Sequence, residues 1–122
     1  MRQLFKFGDV IQHFKREWVE DKANDSRYLY KYIGEARYSE DKSKWFVMYT
    51  ALYNDPKNNI KMFDNFIRPL EMFYSEVDRE KYPDASQHYR FEKFDNSKFK
   101  VHPIEQQTIC MTEMCLKESS DE

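Results

Sequence analysis

Apolar and polar residues alternate over short runs through most of the chain, a period of two that predicts a succession of strands. Val10-Ile11-Gln12-His13-Phe14 follows the Gly8-Asp9 turn signal and reads as the first. Tyr28 to Ser39 reads as the second: Tyr28, Tyr30 and Tyr32 share one face, Leu29 and Ile33 the other. Gly34 in mid-run marks a bulge or sharp bend there. Trp45 to Tyr53 is β-branched and aromatic with apolar residues on both faces, which predicts a central strand covered on two sides. Ile60–Phe63 and Phe66–Arg68 are short strand pieces around Asp64-Asn65. Pro69 at a first helical position predicts one helical turn, with Leu70 and Phe73 on one side. His88 to Glu92 is a last alternating strand that puts Tyr89 and Phe91 on one face.

Polar segments separate these runs. Lys15 to Arg27 is charge-rich and reads as an exposed loop whose Trp18-Val19 either folds back onto the body or forms apolar surface, and Glu40 to Lys44 as a polar turn. Asn54 to Asn59 breaks the chain with turn residues, and Asp78 to Asp84 is a charged connection closed by Pro83. Five or six short strands with turn signals at near-regular intervals predict a mainly β domain, a small antiparallel barrel or sandwich. The aromatics all fall between Phe5 and Phe99, which divides the chain into a body over residues 7–94 and a C-terminal extension over 95–122. In the extension, Pro103, Ile104, Thr108, Met111 and Cys115 have helical spacing, while Thr108 to Met111 suits a strand equally well. Glu118 to Glu122 reads as disordered.

The 122 residues hold 2 Trp, 9 Tyr and 10 Phe against 2 Gly, and 34% are charged, the make-up of one globular domain. No apolar run reaches the roughly 18 residues of a membrane span, and the first residues have no signal-peptide core. The expectation is a cytoplasmic protein with no membrane partner. A net charge of -2 argues against a dedicated phosphate-backbone binder, so nucleic acid is the less favoured partner. Cys110 and Cys115 fit neither a redox pair nor a zinc set and read as reduced, ordinary thiols.

No constellation marks a catalytic, metal or cofactor site: His13, His88 and His102 do not assemble, and Gly8 and Gly34 stand alone. The expectation is therefore no cofactor, no metal and, more readily than an enzyme, a binding module. Arg68 is the most informative polar residue, because Phe66-Ile67 and Pro69-Leu70 would part-bury its guanidinium. A buried arginine needs a partner: either Glu71, three residues on, or a carboxylate or phosphate in a pocket. Tyr28, Tyr30, Tyr32, Tyr49 and Tyr53 read as core and cross-strand pairs or, alternatively, as an aromatic groove.

Several motifs in order carry a family resemblance. Gly8-Asp9…Gln12-His13-Phe14-Lys15, then Tyr49-Thr50-Ala51-Leu52-Tyr53, then Ile67-Arg68-Pro69-Leu70-Glu71-Met72-Phe73 resemble the bacterial domain-of-unknown-function family 1653. Ser75 to Pro83 and Tyr89-Arg90-Phe91-Glu92 extend the likeness to roughly residues 7–92. The resemblance implies an SH3-like barrel and no activity. Its polar motif members His13, Lys15, Tyr49 and Arg68 are the candidate binding residues. This chain departs from the family pattern in two loops, with an insertion over Arg16 to Ser26 and with Asn54 where members place glycine.

The functional expectation is a non-enzymatic module that binds a peptide or protein surface. Its groove is floored by Tyr49, His13 and Arg68 and walled by the Lys15–Arg27 loop. The alternatives are a nucleic-acid-binding barrel, and a small-molecule pocket or weak hydrolase that pairs His13 with an acid such as Glu71.

Overall fold

In the computed structural model of the chain, residues 4–95 are described. The readings of residues 96–122, including the helical spacing over 103–117 and the two cysteines, lie outside the described residues. Five strands form one sheet: β1 (Val10–His13), β2 (Leu29–Tyr38), β3 (Asp41–Ala51), β4 (Asn65–Pro69) and β5 (Phe91–Lys93). Their order is β4-β3-β2-β1-β5 and every pairing is antiparallel, so the mainly β architecture is the one the alternation predicts. The β2–β3 hairpin is the spine. Its register slips between Tyr32 and Gly34, which places the bulge at the glycine where the sequence signals it.

The sheet does not close into a barrel. β4 and β5 are its two edges, and among the described residues no ladder joins them. The chain leaves β4 through a single helical turn, α1 (Leu70–Phe73), and the following Ser75–Val77 lies against His88–Arg90 through the lone bridge Glu76–Tyr89. Side chains span the remaining gap. Phe91 of β5 stacks on Phe73 of α1 with centroids 4.3 Å apart, and packs on Tyr49 of β3 at 5.3 Å. Ile11, Tyr30, Tyr32, Val47, Tyr49, Ala51, Tyr53, Phe73 and Phe91 are all buried in this main core. The curl comes from burying aromatic area, a non-directional force, with backbone pairing confined to one bridge at the seam.

The tyrosine readings resolve here. Tyr30, Tyr32, Tyr49 and Tyr53 are all buried, and Tyr30 and Tyr53 share a 2.7 Å hydroxyl hydrogen bond. Burial pushes the Tyr30 phenol well up and the Tyr53 phenol up to about 12, so both stay protonated inside the core, one hydroxyl donating to the other.

The segment after β1 differs from its sequence reading. Phe14–Trp18 forms a 3₁₀ turn: Phe14 belongs to it rather than to the first strand, Arg16 is buried rather than exposed, and Val19 folds back onto the body while Trp18 stays half-exposed. The charge of Arg16 conceals a structural role. Its guanidinium donates to the carbonyls of Lys22 (2.9 Å), Asp25 (2.8 Å) and Arg27 (2.8 Å), which folds the insertion back onto the 3₁₀ turn. Other boundaries move as well. β3 starts at Asp41, inside the expected turn, Ile60 makes only an isolated bridge to Asp55, and the last strand starts at Phe91 rather than His88. No helix among the described residues is long and apolar enough to cross a membrane.

Candidate functional site

A cavity of about 230 Å³ opens at the seam between the two sheet edges, lined by residues from β1, β4, the Asp78–Asp84 loop and the start of β5. Three of the four sequence candidates line it: His13, Lys15 and Arg68. Arg90 and Lys81 add two further cations, Asp78 is the single carboxylate in the lining, and Phe14 and Tyr82 form its apolar wall.

His13 ends β1 and caps the 3₁₀ turn. Its Nδ1 accepts the Lys15 backbone N–H at 3.1 Å, so the neutral ring carries its proton on Nε2. The ring lies against Phe14 (4.4 Å), Phe91 (5.1 Å) and Tyr28 (5.8 Å). Burial, reinforced by the charges of Arg68, Arg90 and Lys15, lowers its pKa from the ordinary value near 6.5 to about 3. His13 therefore offers the cavity a neutral N–H donor and no charge at physiological pH.

That shift has a consequence for stability. The unfolded chain takes up a proton at His13 below pH ~6.5 while the folded chain does not, so stability falls with pH from there until the folded group titrates near 3. Between pH ~7 and pH ~5 the loss is about 2 kcal/mol, at 1.36 kcal/mol per unit. Urea melts of wild type and His13→Asn, whose side chain retains the cap but cannot titrate, should diverge by that amount. Parallel pH profiles for the two proteins would show that His13 is not held neutral.

Arg68 stands on β4 opposite Val47. Its Nε donates to the Tyr49 hydroxyl at 3.2 Å, and its guanidinium lies 5.6 Å from the Phe91 ring centroid. Tyr49, the fourth candidate, does not line the cavity but positions Arg68 from the core. The expected Arg68–Glu71 pair does not form. Among the described residues no ion pair joins Arg68 to a carboxylate within 4.0 Å, whereas pairs such as Arg27–Asp25 and His88–Glu76 do form. Glu71 lines a different cavity together with Trp45, Phe46 and Pro69. His13 and Glu71 consequently do not converge, so the pairing named for the hydrolase alternative does not form.

Arg90 was missed at the sequence level. Its backbone is fixed on both sides, with its N–H donating to the Ser75 carbonyl and its carbonyl accepting from the Phe14 N–H, both at 2.9 Å. Its Nε donates to the Ser75 hydroxyl at 3.2 Å. Burial first, and then the charge of Arg68, lower its pKa from the ordinary arginine value, against the raising influence of Tyr49, Tyr82 and Asp78. The available signal was the Tyr89-Arg90-Phe91 triplet, an arginine between aromatics just as Arg68 stands between apolar pairs.

The opposite lip is the Asp78–Asp84 loop. Asp78 Oδ1 accepts the backbone N–H groups of Glu80 (3.0 Å) and Lys81 (3.3 Å), which shapes the turn that presents Lys81. Tyr82 packs on Phe14 at 4.9 Å and on half-exposed Trp18 at 6.1 Å, and the Lys15 ammonium lies 5.6 Å from the Tyr82 ring. Glu17 accepts the Ser86 N–H at 2.8 Å and joins the 3₁₀ turn to the segment that follows the loop. Two regions far apart in sequence thus wall one opening.

No curated protein and no solved structure matches the chain. The motifs around His13, Tyr49 and Arg68 do have a counterpart. A family model described as "Protein of unknown function (DUF1653)" matches residues 9–93, the whole sheet and every cavity-lining residue, and the chain belongs to that family.

Proposed function

We propose that this protein is a non-enzymatic binding module that captures an anionic group of a peptide or protein partner in the seam cavity. The observation that carries this reading is that Arg68 and Arg90 line one concave site and neither has a carboxylate within 4.0 Å among the described residues. Intramolecular partners normally neutralise part-buried guanidiniums, and a ligand anion is the remaining way to satisfy the pair. Each arginine presents a planar fork suited to an oxyanion, and the Tyr49 and Ser75 hydroxyls hold the two in place. Trp18 and Tyr82 supply the aromatic surface beside the charge. Tyr30, Tyr32, Tyr49 and Tyr53, being buried, do not.

The cavity volume of about 230 Å³ lies below the roughly 300–1,000 Å³ of sites that enclose a whole small ligand. It suits the end of one side chain, the rest of the partner lying outside on the lip. Acidic groups on the approach, Asp78, Glu80 and Asp84, together with the net charge of -2, work against an extended polyanion such as nucleic acid.

Titration of the full chain with a panel of acidic peptides, followed by Trp fluorescence, tests this reading. Arg68→Ala should weaken binding at least about tenfold while changing stability by about 1 kcal/mol or less, and Arg68→Lys should restore only part of the affinity. Destabilisation by several kcal/mol, or unchanged affinity, would make Arg68 a structural residue instead.

A further inference from the structure

The charge balance of the cavity narrows what the anion is. Four cationic side chains, Lys15, Arg68, Lys81 and Arg90, face one carboxylate, Asp78. A single carboxylate ligand would leave most of that excess unmatched, whereas a phosphate monoester brings about two negative charges and three acceptor oxygens at pH ~7. Its tetrahedral oxygens also match donors that converge from three directions: the β4 edge, the start of β5 and the Asp78–Asp84 loop. The neutral His13 ring, whose remaining N–H is on Nε2, also lines the cavity.

We propose, resting on the binding reading above, that the group captured in the seam cavity is the phosphate of a phosphorylated peptide side chain. Arg68 and Arg90 take the phosphate as paired forks, Lys81 closes over it from the loop, and Lys15 balances its second charge from the 3₁₀ turn. The peptide is favoured over nucleic acid because the cavity is small and its loop carries Asp78, Glu80 and Asp84 beside Lys81. Successive backbone phosphates would meet those carboxylates, but an isolated phosphate would not.

The second ionisation of a phosphate ester, near pH ~6, supplies the test. Isothermal titration of the full chain at pH ~7.5 and ~5 is performed with inorganic phosphate, sulfate, a phosphoserine peptide and the same peptide with glutamate in that position. The groups that face the ligand are His13, Lys15, Arg68, Asp78, Lys81 and Arg90. Sulfate, a dianion throughout, reports any change arising from them. Affinity for the phosphopeptide should fall about tenfold between the two pH values, in step with its dianion fraction, and affinity for inorganic phosphate, whose second ionisation lies nearer pH ~7, should fall further, while sulfate binding changes little. The glutamate peptide should bind at least about tenfold more weakly than the phosphopeptide at the higher pH. Lys81→Met, an exposed change without cost to folding, should lower phosphate affinity severalfold.

Equal affinity for the two peptides, or phosphate binding as flat with pH as sulfate binding, overturns the phosphate assignment and leaves the anion pocket standing. Tighter binding of a single-stranded RNA oligonucleotide than of the phosphopeptide, lost in Arg68→Gln, overturns the peptide as source. Failure of every anion to bind overturns both the assignment and the binding reading beneath it.

Discussion

Phe73→Ala should destabilise the protein by about 3–5 kcal/mol, the largest effect expected of any single substitution in the sheet core. Phe73 is fully buried although it belongs to only one turn of helix. Its ring stacks on Phe91 at 4.3 Å and packs on Tyr74 at 5.1 Å, Tyr49 at 5.5 Å, Phe5 at 6.1 Å and Tyr32 at 6.2 Å. Truncation removes the transfer energy of the ring and leaves a cavity that flat aromatic neighbours fill poorly. In a domain whose total stability is about 5–15 kcal/mol, that is a large fraction. The effect also reaches the site. Phe91 rests on Phe73 and in turn supports both His13 and Arg68, so anion affinity should fall alongside stability. Urea melts of Phe73→Ala and of Phe73→Leu, which retains most of the volume, measure the packing component. A loss below about 1.5 kcal/mol for the alanine variant would mean that the seam is not held by this stack.

The second large effect is expected at Arg16, where replacement by alanine should cost about 2–4 kcal/mol. Removing the guanidinium leaves the carbonyls of Lys22, Asp25 and Arg27 without their donor. Arg16→Lys should recover little, because one ammonium cannot span three carbonyls that a planar fork reaches from two nitrogens. Both variants should open the insertion first, visible as faster hydrogen exchange over residues 19–27, ahead of the sheet. Exchange that accelerates uniformly across the domain would place Arg16 in the global core instead. A stability change under about 0.5 kcal/mol would show that water replaces the guanidinium without loss.

The elements that could be read from the sequence are those governed by local periodicity. The alternation in Tyr28–Ser39 and Trp45–Tyr53 located the central hairpin, and Gly34 located its bulge, because side-chain direction in a strand repeats every two residues whatever lies around it. Pro69 located the helical turn through its fixed φ and missing N–H. Arg68 drew notice through its apolar neighbours, a local signal as well. Arg16 was misread for the opposite reason: a charge in a polar stretch resembles surface, and only the placement of three distant carbonyls makes it core. The Arg68–Glu71 pairing failed similarly, since spacing along a chain that switches from strand to helix between them does not place two side chains on one face.

The sequence by itself determined a single mainly β body, the bulged hairpin at its centre, the family to which it belongs and three of the residues lining the cavity. Only the tertiary structure decided that the sheet stays open, that aromatic stacking of Phe73 on Phe91 holds its edges near each other, and that Arg90 and Lys81 join His13, Lys15 and Arg68 at that seam. The physical reason is the range of the forces involved. Backbone alternation and proline geometry act over a few residues and leave their trace in the order of residue types. Burial and electrostatics act between whichever groups folding brings together, here β4 with the start of β5, more than 20 residues further along the chain.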